Sequence, residues 1–268
     1  MAHNLHVALV TIENMMNQML VLCAAGGSIK LYTGLKPGRG GGPIPSEDIM
    51  LVSLEMSSPA FGYASSGVST ANVITPGIPA AEGKPTWFRM YQADGVTPIL
   101  DGTAGVGSSY DLNITNASIV FGTEFFITSF VVNQPIGNPF MDVAPGVANQ
   151  MLNWIANYTN NGFIYVYSGT QPASADDAIP GGDVLLATLD LGNPAISSIV
   201  DGELISNPVS GAGTANGTPT WFRMLESDMT PILDGSAGFG GAYDLVLGSV
   251  AISVGQRINV VSFNLVQN

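Results

Sequence analysis

The hexamer PTWFRM occurs twice in the chain, at residues 85–90 and again at residues 219–224. The match extends well beyond the hexamer, because TPILDGTAGVGSSYDL (residues 97–112) aligns with TPILDGSAGFGGAYDL (residues 230–245). The repeated unit is far longer than the roughly 20–50 residues of solenoid and propeller repeats. The sequence therefore predicts the tandem duplication of a complete domain.

The boundary between the two copies is expected at PIGNPFMDVAPG (residues 135–146). This stretch carries three prolines and two glycines, as an interdomain linker commonly does. We therefore predict a first domain over residues 1–134 and a second, homologous domain over residues 147–268. A chain of 268 residues is long enough for two domains of ordinary size.

Each copy begins with the apolar spacing of a short amphipathic helix. In the first copy Thr11 is the expected N-cap, and Gly26 and Gly27 end the pattern. In the second copy the pattern runs over residues 151–158 and closes at residues 160–162. Short apolar runs between Gly, Pro, Asn and Asp clusters then predict about six or seven strands per copy. The predicted fold is all-β: two tandem, duplicated β-sandwich or barrel domains, each preceded by a helix.

Composition limits the partners that such a chain can bind. Seven basic residues stand against twenty acidic ones, for a net charge of −13. Binding to nucleic acid through phosphates needs basic patches, so we predict no nucleic-acid partner. The charge is also uneven, since the residues up to Gln134 include five basic and nine acidic ones, whereas the residues from Asp142 on include two basic and eleven acidic ones.

The first 27 residues do not have the pattern of a targeting segment. They lack a basic n-region, and Glu13 and Asn14 interrupt the apolar run. We expect no membrane partner and synthesis in a cytoplasm. Cys23 is the single cysteine, which excludes an intrachain disulfide, and it is interpreted as a small apolar helix residue.

The hexamer itself has the pattern of a strand that is covered on both faces. Because side chains alternate along a strand, Trp87, Arg89 and Tyr91 share one face and Phe88 and Met90 share the other. Both faces are largely apolar. This pattern is typical of a central strand.

A hairpin is predicted next, with its turn centred on residues 94–95. That turn would place Phe88 opposite Asp101 and leave Arg89 to reach Asp101 diagonally. An Arg–Asp pair stacked over a Trp ring is expected in each copy as a structural device. The predicted pair residues are Arg89, Asp101, Arg223 and Asp234, and the predicted core residues are Trp87 and Trp221.

A ligand clamp or an acid–base pair is the alternative interpretation of these residues. Catalysis by two carboxylates needs two acids at a defined separation. The acids that both copies keep near Asp101 and Asp234 are Asp111 and Asp244, which follow a Gly-rich loop. We therefore favour the structural interpretation.

Other signals of enzymatic or metal chemistry are weak. Asp176, Asp177 and Asp183 could bind Ca²⁺, but they lack EF-hand spacing, and a solvated loop is the preferred interpretation. His3 and His6 lack a third ligand at metal spacing. The chain has no G-x-S-x-G motif. We predict no enzymatic activity, no cofactor and no metal site.

The order of elements resembles that of a type of tailed-bacteriophage virion protein. The resemblance is carried by NMMNQMLVLCAAGG, then IKLYTGLKP, PTWFRM and ILDG, with echoes in the second copy. It implies a non-enzymatic virion structural protein, most of all a capsid decoration or cement protein on the capsid exterior, made in the host cytoplasm. The implied partners are the major capsid protein and copies of the chain itself, for example in a trimer. No binding residue follows from the resemblance.

Two hypotheses about function follow from these observations. In the first, the first domain binds the capsid lattice and the more acidic second domain faces neighbours or solvent. In the second, the chain is a tail or tail-fibre module that binds host-surface glycans or other tail proteins. The candidate contact residues of the second hypothesis are Tyr63, Tyr110 and Tyr243.

Overall fold

A computed structural model describes residues 5–133, 142–241 and 243–266. Strands make up 39% of the structure and helices 11%, so the prediction of an all-β fold is confirmed. One helix precedes the sheet strands of each copy, as expected. The helices are α1 (Leu9–Val21) and α2 (Pro145–Tyr158).

A two-residue strand precedes each helix, and we call these two segments the leaders. The leader strands are β1 (His6–Val7) and β9 (Asp142–Val143). The first copy continues with β2 (Gly27–Tyr32), β3 (Met50–Met56), β4 (Val68–Thr70), β5 (Trp87–Tyr91), β6 (Pro98–Gly105), β7 (Leu112–Asn113) and β8 (Val131–Asn133). The second continues with β10 (Phe163–Ser168), β11 (Val184–Asp190), β12 (Ile196–Val200), β13 (Glu203–Ser206), β14 (Ser210–Gly213), β15 (Trp221–Leu225), β16 (Pro231–Phe239), β17 (Leu245–Leu247) and β18 (Arg257–Val266).

The chain forms two compact units, and each combines residues of both copies. The barrel unit comprises the chain up to Met15 together with Met151–Gln267, and the half-barrel unit comprises Met16–Gln150. The unit boundaries therefore fall inside α1 and α2. As a consequence, the leader β1 belongs to the barrel unit although it precedes the first copy.

In the barrel unit the sheet closes on itself. The strand order β16-β15-β10-β11-β14-β18 is completed by β17, which pairs antiparallel with β18 and parallel with β16. Phe222 and Phe263 meet edge-on in its core, with ring centroids 5.6 Å apart. The β12–β13 hairpin continues the sheet from β18.

In the half-barrel unit the sheet curls but does not close over the described residues. Its order is β3-β2-β5-β6-β7, and β4 pairs with β8 in a separate two-stranded sheet. Phe88 and Phe130 pack edge-on in the core, with centroids 5.3 Å apart. Where the second copy has β14 against β18, the first copy keeps the single bridge Gly77–Phe125.

Two prolines explain why the first copy stays open. Aligned on the glycine of the surviving bridge, Pro76 and Pro79 take the places of Ser210 and Gly213. In the barrel the N–H of Gly213 donates to the Gln256 carbonyl at 2.8 Å, and proline has no N–H to donate. The hydrogen bond that Gly213 makes in the barrel therefore has no counterpart at Pro79, and Pro76 is a second residue beside Gly77 that lacks an N–H. We call the stretch between residues 72–79 and 124–129, where the Gly77–Phe125 bridge remains, the open seam.

The observed ends of the helices contradict the N-cap predicted for α1 and confirm the end predicted for α2. Thr11 is not the N-cap of α1, because Ile12 N–H already bonds to the Ala8 carbonyl and the helix begins at Leu9. α2 begins at Pro145, a favoured first position for proline, and ends before Asn161, whose φ is +59°. In the part of the chain that the structure describes, neither helix is long and apolar enough to cross a membrane.

The predicted linker at residues 135–146 is only partly covered by the structure. Its residues 135–141 lie outside the described residues. The remaining ones form β9 and the first turn of α2.

Candidate functional site

The strands built from the repeated hexamer lie at the centre of each unit. β5 pairs with β2 and β6, and β15 pairs with β10 and β16. All five residues of both strands are buried. The prediction of a strand covered on both faces is therefore confirmed.

The predicted register of the hairpin is wrong by one residue. The turn is where it was expected, with Gln92 N–H bonded to the Thr97 carbonyl at 2.9 Å. However, Ile99 is an extra residue in β6 between the pairs Tyr91–Pro98 and Met90–Leu100. This β-bulge shifts the ladder, so that Arg89 rather than Phe88 lies directly opposite Asp101. Ile232 has the same role in the second copy.

Each Arg–Asp pair is bidentate and buried. Arg89 donates Nε–H to Asp101 Oδ1 at 2.5 Å and Nη2–H to Oδ2 at 2.6 Å. In the second copy the Arg223–Asp234 distances are both 2.7 Å. Neither Asp has any exposed surface, and each Arg is at most 5% exposed. A ligand therefore has no route to either pair unless the loop above it moves.

The loop over each pair comes from residues 33–49 or 169–183. Arg89 donates to the Gly42 carbonyl at 2.8 Å, and Arg223 donates to the Asp177 carbonyl at 3.1 Å. Burial lowers the pKa of both guanidiniums, but the hydrogen bonds and charge of the partner Asp outweigh it and the net shift is upward. Each arginine therefore stays cationic and connects its own strand to the neighbouring strand and to the loop.

The Trp rings stack as expected and reveal a partner that sequence reasoning missed. The guanidinium carbons of Arg89 and Arg223 lie 5.5 and 5.7 Å from the centroids of Trp87 and Trp221. Each indole N–H also donates to a carboxylate at 2.8 Å. These acceptors are Asp48 for Trp87 and Asp183 for Trp221.

A signal for these two acceptors was present in the sequence. Asp48 and Asp183 stand at matching places, each directly before the aligned runs IMLVSLE and VLLATLD. Indole N–H groups that are buried need an acceptor, and an acid that recurs in both copies is a natural one. Asp183 was instead grouped with the calcium candidates.

The three acids of the calcium alternative have separate partners. Asp176 accepts from Leu9 N–H at 2.8 Å, Asp177 accepts from Ser174 N–H at 3.0 Å, and Asp183 accepts from Trp221. Within residues 5–133, 142–241 and 243–266, no group of three or more His, Cys, Asp or Glu side chains is placed to hold a metal ion. His3 lies outside the described residues.

The acids of the clamp alternative, which recur in both copies, also have structural partners. Asp111 accepts from both the backbone N–H and the hydroxyl of Thr103, at 2.7 and 2.8 Å. Asp244 accepts from Ser236 in the same way, at 2.9 and 2.6 Å. Each acid fastens the short connection between two parallel strands.

The three candidate tyrosines differ in their surroundings. Tyr63 is 93% exposed. Tyr110 lies over Gly105 so closely that a Cβ on that glycine would be 2.5 Å from its ring, and Tyr243 covers Gly238 in the same way. Tyr110 and Tyr243 therefore protect strand backbone, and only Tyr63 projects freely.

The open seam gives the first copy an apolar outer surface that the second copy lacks. Ile78 is 64% exposed and Phe126 is 48% exposed, and the aligned residues of the closed barrel are Ala212 and Asn259. A groove of about 260 Å³ lies in the seam between residues 70–74 and 127–130.

Comparison of the chain with protein families, with curated proteins and with solved structures finds no match.

Proposed function

We propose that the chain is a non-enzymatic structural protein of a tailed-bacteriophage virion, a capsid decoration protein that binds and stabilises the head lattice. The observation that carries the proposal is the apolar outer face of the open seam, formed by Ile78 and Phe126. The partners would be the major capsid protein and further copies of the chain. The location would be the capsid exterior.

The difference between the copies supports this assignment of roles. At matching positions the first copy exposes Ile and Phe, whereas the second presents Ala212 and Asn259. Exposed apolar groups on a folded surface are typical of a protein contact, and the centre of an interface is depleted in charge. The first copy also carries the smaller excess of acidic residues. It would therefore face the lattice, and the more acidic second copy would face solvent.

Self-association would match the symmetry of a shell. Icosahedral shells offer three-fold and local six-fold positions, and a trimer of a duplicated chain has the symmetry to occupy them. The low share of charged residues, 10% against roughly 25% in typical soluble domains, suits a surface largely used in protein contacts.

Quantitative mass spectrometry of purified virions tests the proposal. A decoration protein should be present at on the order of tens to hundreds of copies per particle. Particles that contain a few copies, or none, would overturn it.

A binding experiment tests the surface itself. Particles that lack the chain are mixed with purified chain, and we expect Ile78→Ala with Phe126→Asn to weaken binding by about tenfold or more. These replacements are the residues of the closed barrel at the same positions. The matched control is Val254→Asn, which removes a 65% exposed apolar side chain from the second copy and should bind normally. Equal binding of both variants would exclude the seam as the contact.

A tail module that binds glycans is the second candidate, and it now rests on Tyr63. This ring is almost fully exposed, as an aromatic platform for a sugar would be. Loss of host adsorption in Tyr63→Ala virions, together with binding of the chain to a glycan array, would support it. Normal adsorption with no glycan bound would remove it.

A further inference from the structure

The outer edge of the hairpin strand in each unit is occupied by a leader. In the barrel unit β1 pairs with β16, with His6 opposite Asp234 and Val7 opposite Leu233. In the half-barrel unit β9 pairs with β6. Both leaders end in a valine that is followed by an alanine, at residues 7–8 and 143–144. The two edges are therefore equivalent strand-acceptor sites.

The β-bulges supply the main acceptor of each site. Ala8 N–H donates to the Ile232 carbonyl at 2.8 Å, and Ala144 N–H donates to the Ile99 carbonyl at 2.8 Å. Ile99 and Ile232 are the bulged residues, which have no opposite partner in the hairpin ladder. The bulge that brings Arg opposite Asp thus also prepares the edge for a leader.

Each acceptor site binds a leader from the opposite copy. β1 precedes the helix of the first copy and pairs with β16 of the second, whereas β9 precedes the helix of the second copy and pairs with β6 of the first. Two copies of this fold therefore complete one another by reciprocal exchange of leaders. Here a single chain supplies both copies.

The contacts beside the edges make each site selective for its own leader. In the barrel unit Leu9 N–H donates to Asp176, and the His6 ring nitrogen Nδ1 is 3.0 Å from the Pro172 carbonyl. In the half-barrel unit Pro145 stands where the barrel unit has Leu9, and proline has no N–H to donate. Gly41 stands where the barrel unit has Asp176, and a Cβ on Gly41 would lie only 2.9 Å from the Ala144 Cβ.

We propose that the edge of β16 is an acceptor site for the leader of a second copy of this chain, so that copies associate by exchanging β1. The contacts made within a chain and between chains are the same. Exchange of an identical element is a low-cost route to association, and its extent depends on the effective concentration of the leader. The selectivity of the site directs β1 to the barrel unit of the neighbour.

The test uses the full chain in an unlabelled and an isotope-labelled form. The two forms are unfolded in denaturant, mixed and refolded at a series of protein concentrations, and native mass spectrometry counts mixed dimers. We expect mixed dimers whose fraction rises with concentration. Ala8→Pro removes the N–H bonded to Ile232 and should leave the leader undocked from the barrel of its own chain and of a neighbour alike, so the fraction of mixed dimers should fall by about tenfold. The absence of mixed dimers, or an undiminished fraction in Ala8→Pro, would overturn the proposal.

The matched control is Leu9→Pro combined with Asp176→Gly, which reproduces the Pro145 and Gly41 pair of the other site. It places a proline one residue further on and should still form mixed dimers. No particle is involved, so the outcome is separable from that of the decoration proposal.

A cross-link keeps the proposal testable if Ala8→Pro does not fold. Chains with Val7→Cys and chains with Leu233→Cys, both with Cys23→Ala, are refolded together and oxidised. Residues directly opposite on antiparallel strands are close enough for a disulfide, so exchange should yield a covalent heterodimer. Replacing the second partner by Leu247→Cys, a buried barrel residue, is the control. Heterodimer yields no higher than this control would overturn the proposal.

Discussion

Replacing Arg89 by Met should strongly destabilise the half-barrel unit, because the Asp101 carboxylate would stay buried without its charged partner. Asp101 has no exposed surface and accepts two N–H groups from Arg89, at 2.5 and 2.6 Å. The backbone N–H of Gly41, 3.2 Å from Oδ2, would still donate. One long hydrogen bond from a backbone N–H cannot replace two short ones from a guanidinium cation.

The size of the effect follows from this geometry. Removing one partner of a buried ion pair costs about 3–5 kcal/mol. The Gly42 carbonyl also loses its donor, while the Met side chain fills much of the space of the Arg stem. We expect a loss of about 4 kcal/mol from a stability that is roughly 5–15 kcal/mol for a typical domain. The melting temperature should then fall by roughly 10–20 °C.

Urea unfolding followed by circular dichroism measures this loss. The control is Arg89→Met with Asp101→Leu, which removes both charges and should recover most of the stability, since a buried pair is replaceable by apolar residues. Arg223→Met should act in the same way on the barrel unit. The reasoning is refuted if Arg89→Met unfolds within about 1 kcal/mol of the unchanged chain, or if the double variant is no more stable than the single one.

Three further predictions concern other packed groups. Gly105→Ala should cost about 1–3 kcal/mol of unfolding free energy in the same assay, because its Cβ would displace the Tyr110 ring; an unchanged midpoint would contradict this. Trp221→Phe should cost about 2–3 kcal/mol, since Asp183 loses the indole N–H and the smaller ring leaves a cavity; thermal melting that is unaltered would count against it. Burial raises the pKa of Cys23 to about 11, so a thiol reagent at pH 8 should label it slowly until urea is added.

The sequence was sufficient to predict the two central strands but not the register of the hairpins that they form. Two identical hexamers with apolar residues on both faces predict a buried strand in each copy, and β5 and β15 are such strands. The bulge at Ile99 was not predictable by comparing the copies, because Ile232 repeats it. The residue types around the bulge do not indicate it, and the bidentate Arg–Asp contact that accompanies the bulge forms only in the folded chain.

The start of α1 was misjudged for a related reason. Thr11 has the residue type of an N-cap, but the carboxylate that receives the free Leu9 N–H is Asp176, far away in sequence. This cap from the tertiary structure allows the helix to begin at Leu9, three residues before the start at Ile12 that a cap at Thr11 predicts. Local propensity therefore predicts the helix but not the residue at which it begins.

The open seam shows what a closer comparison of the copies can predict. Both copies keep the glycine that forms the bridge to the next strand, Gly77 and Gly211, because a Cβ there would collide with a neighbouring carbonyl oxygen at 2.4 or 2.1 Å. Only the first copy flanks that glycine with prolines, which cannot continue a ladder. An unclosed sheet with exposed Ile78 beside it follows from those two prolines. The same duplicated fold is therefore closed in the second copy and open at this seam in the first.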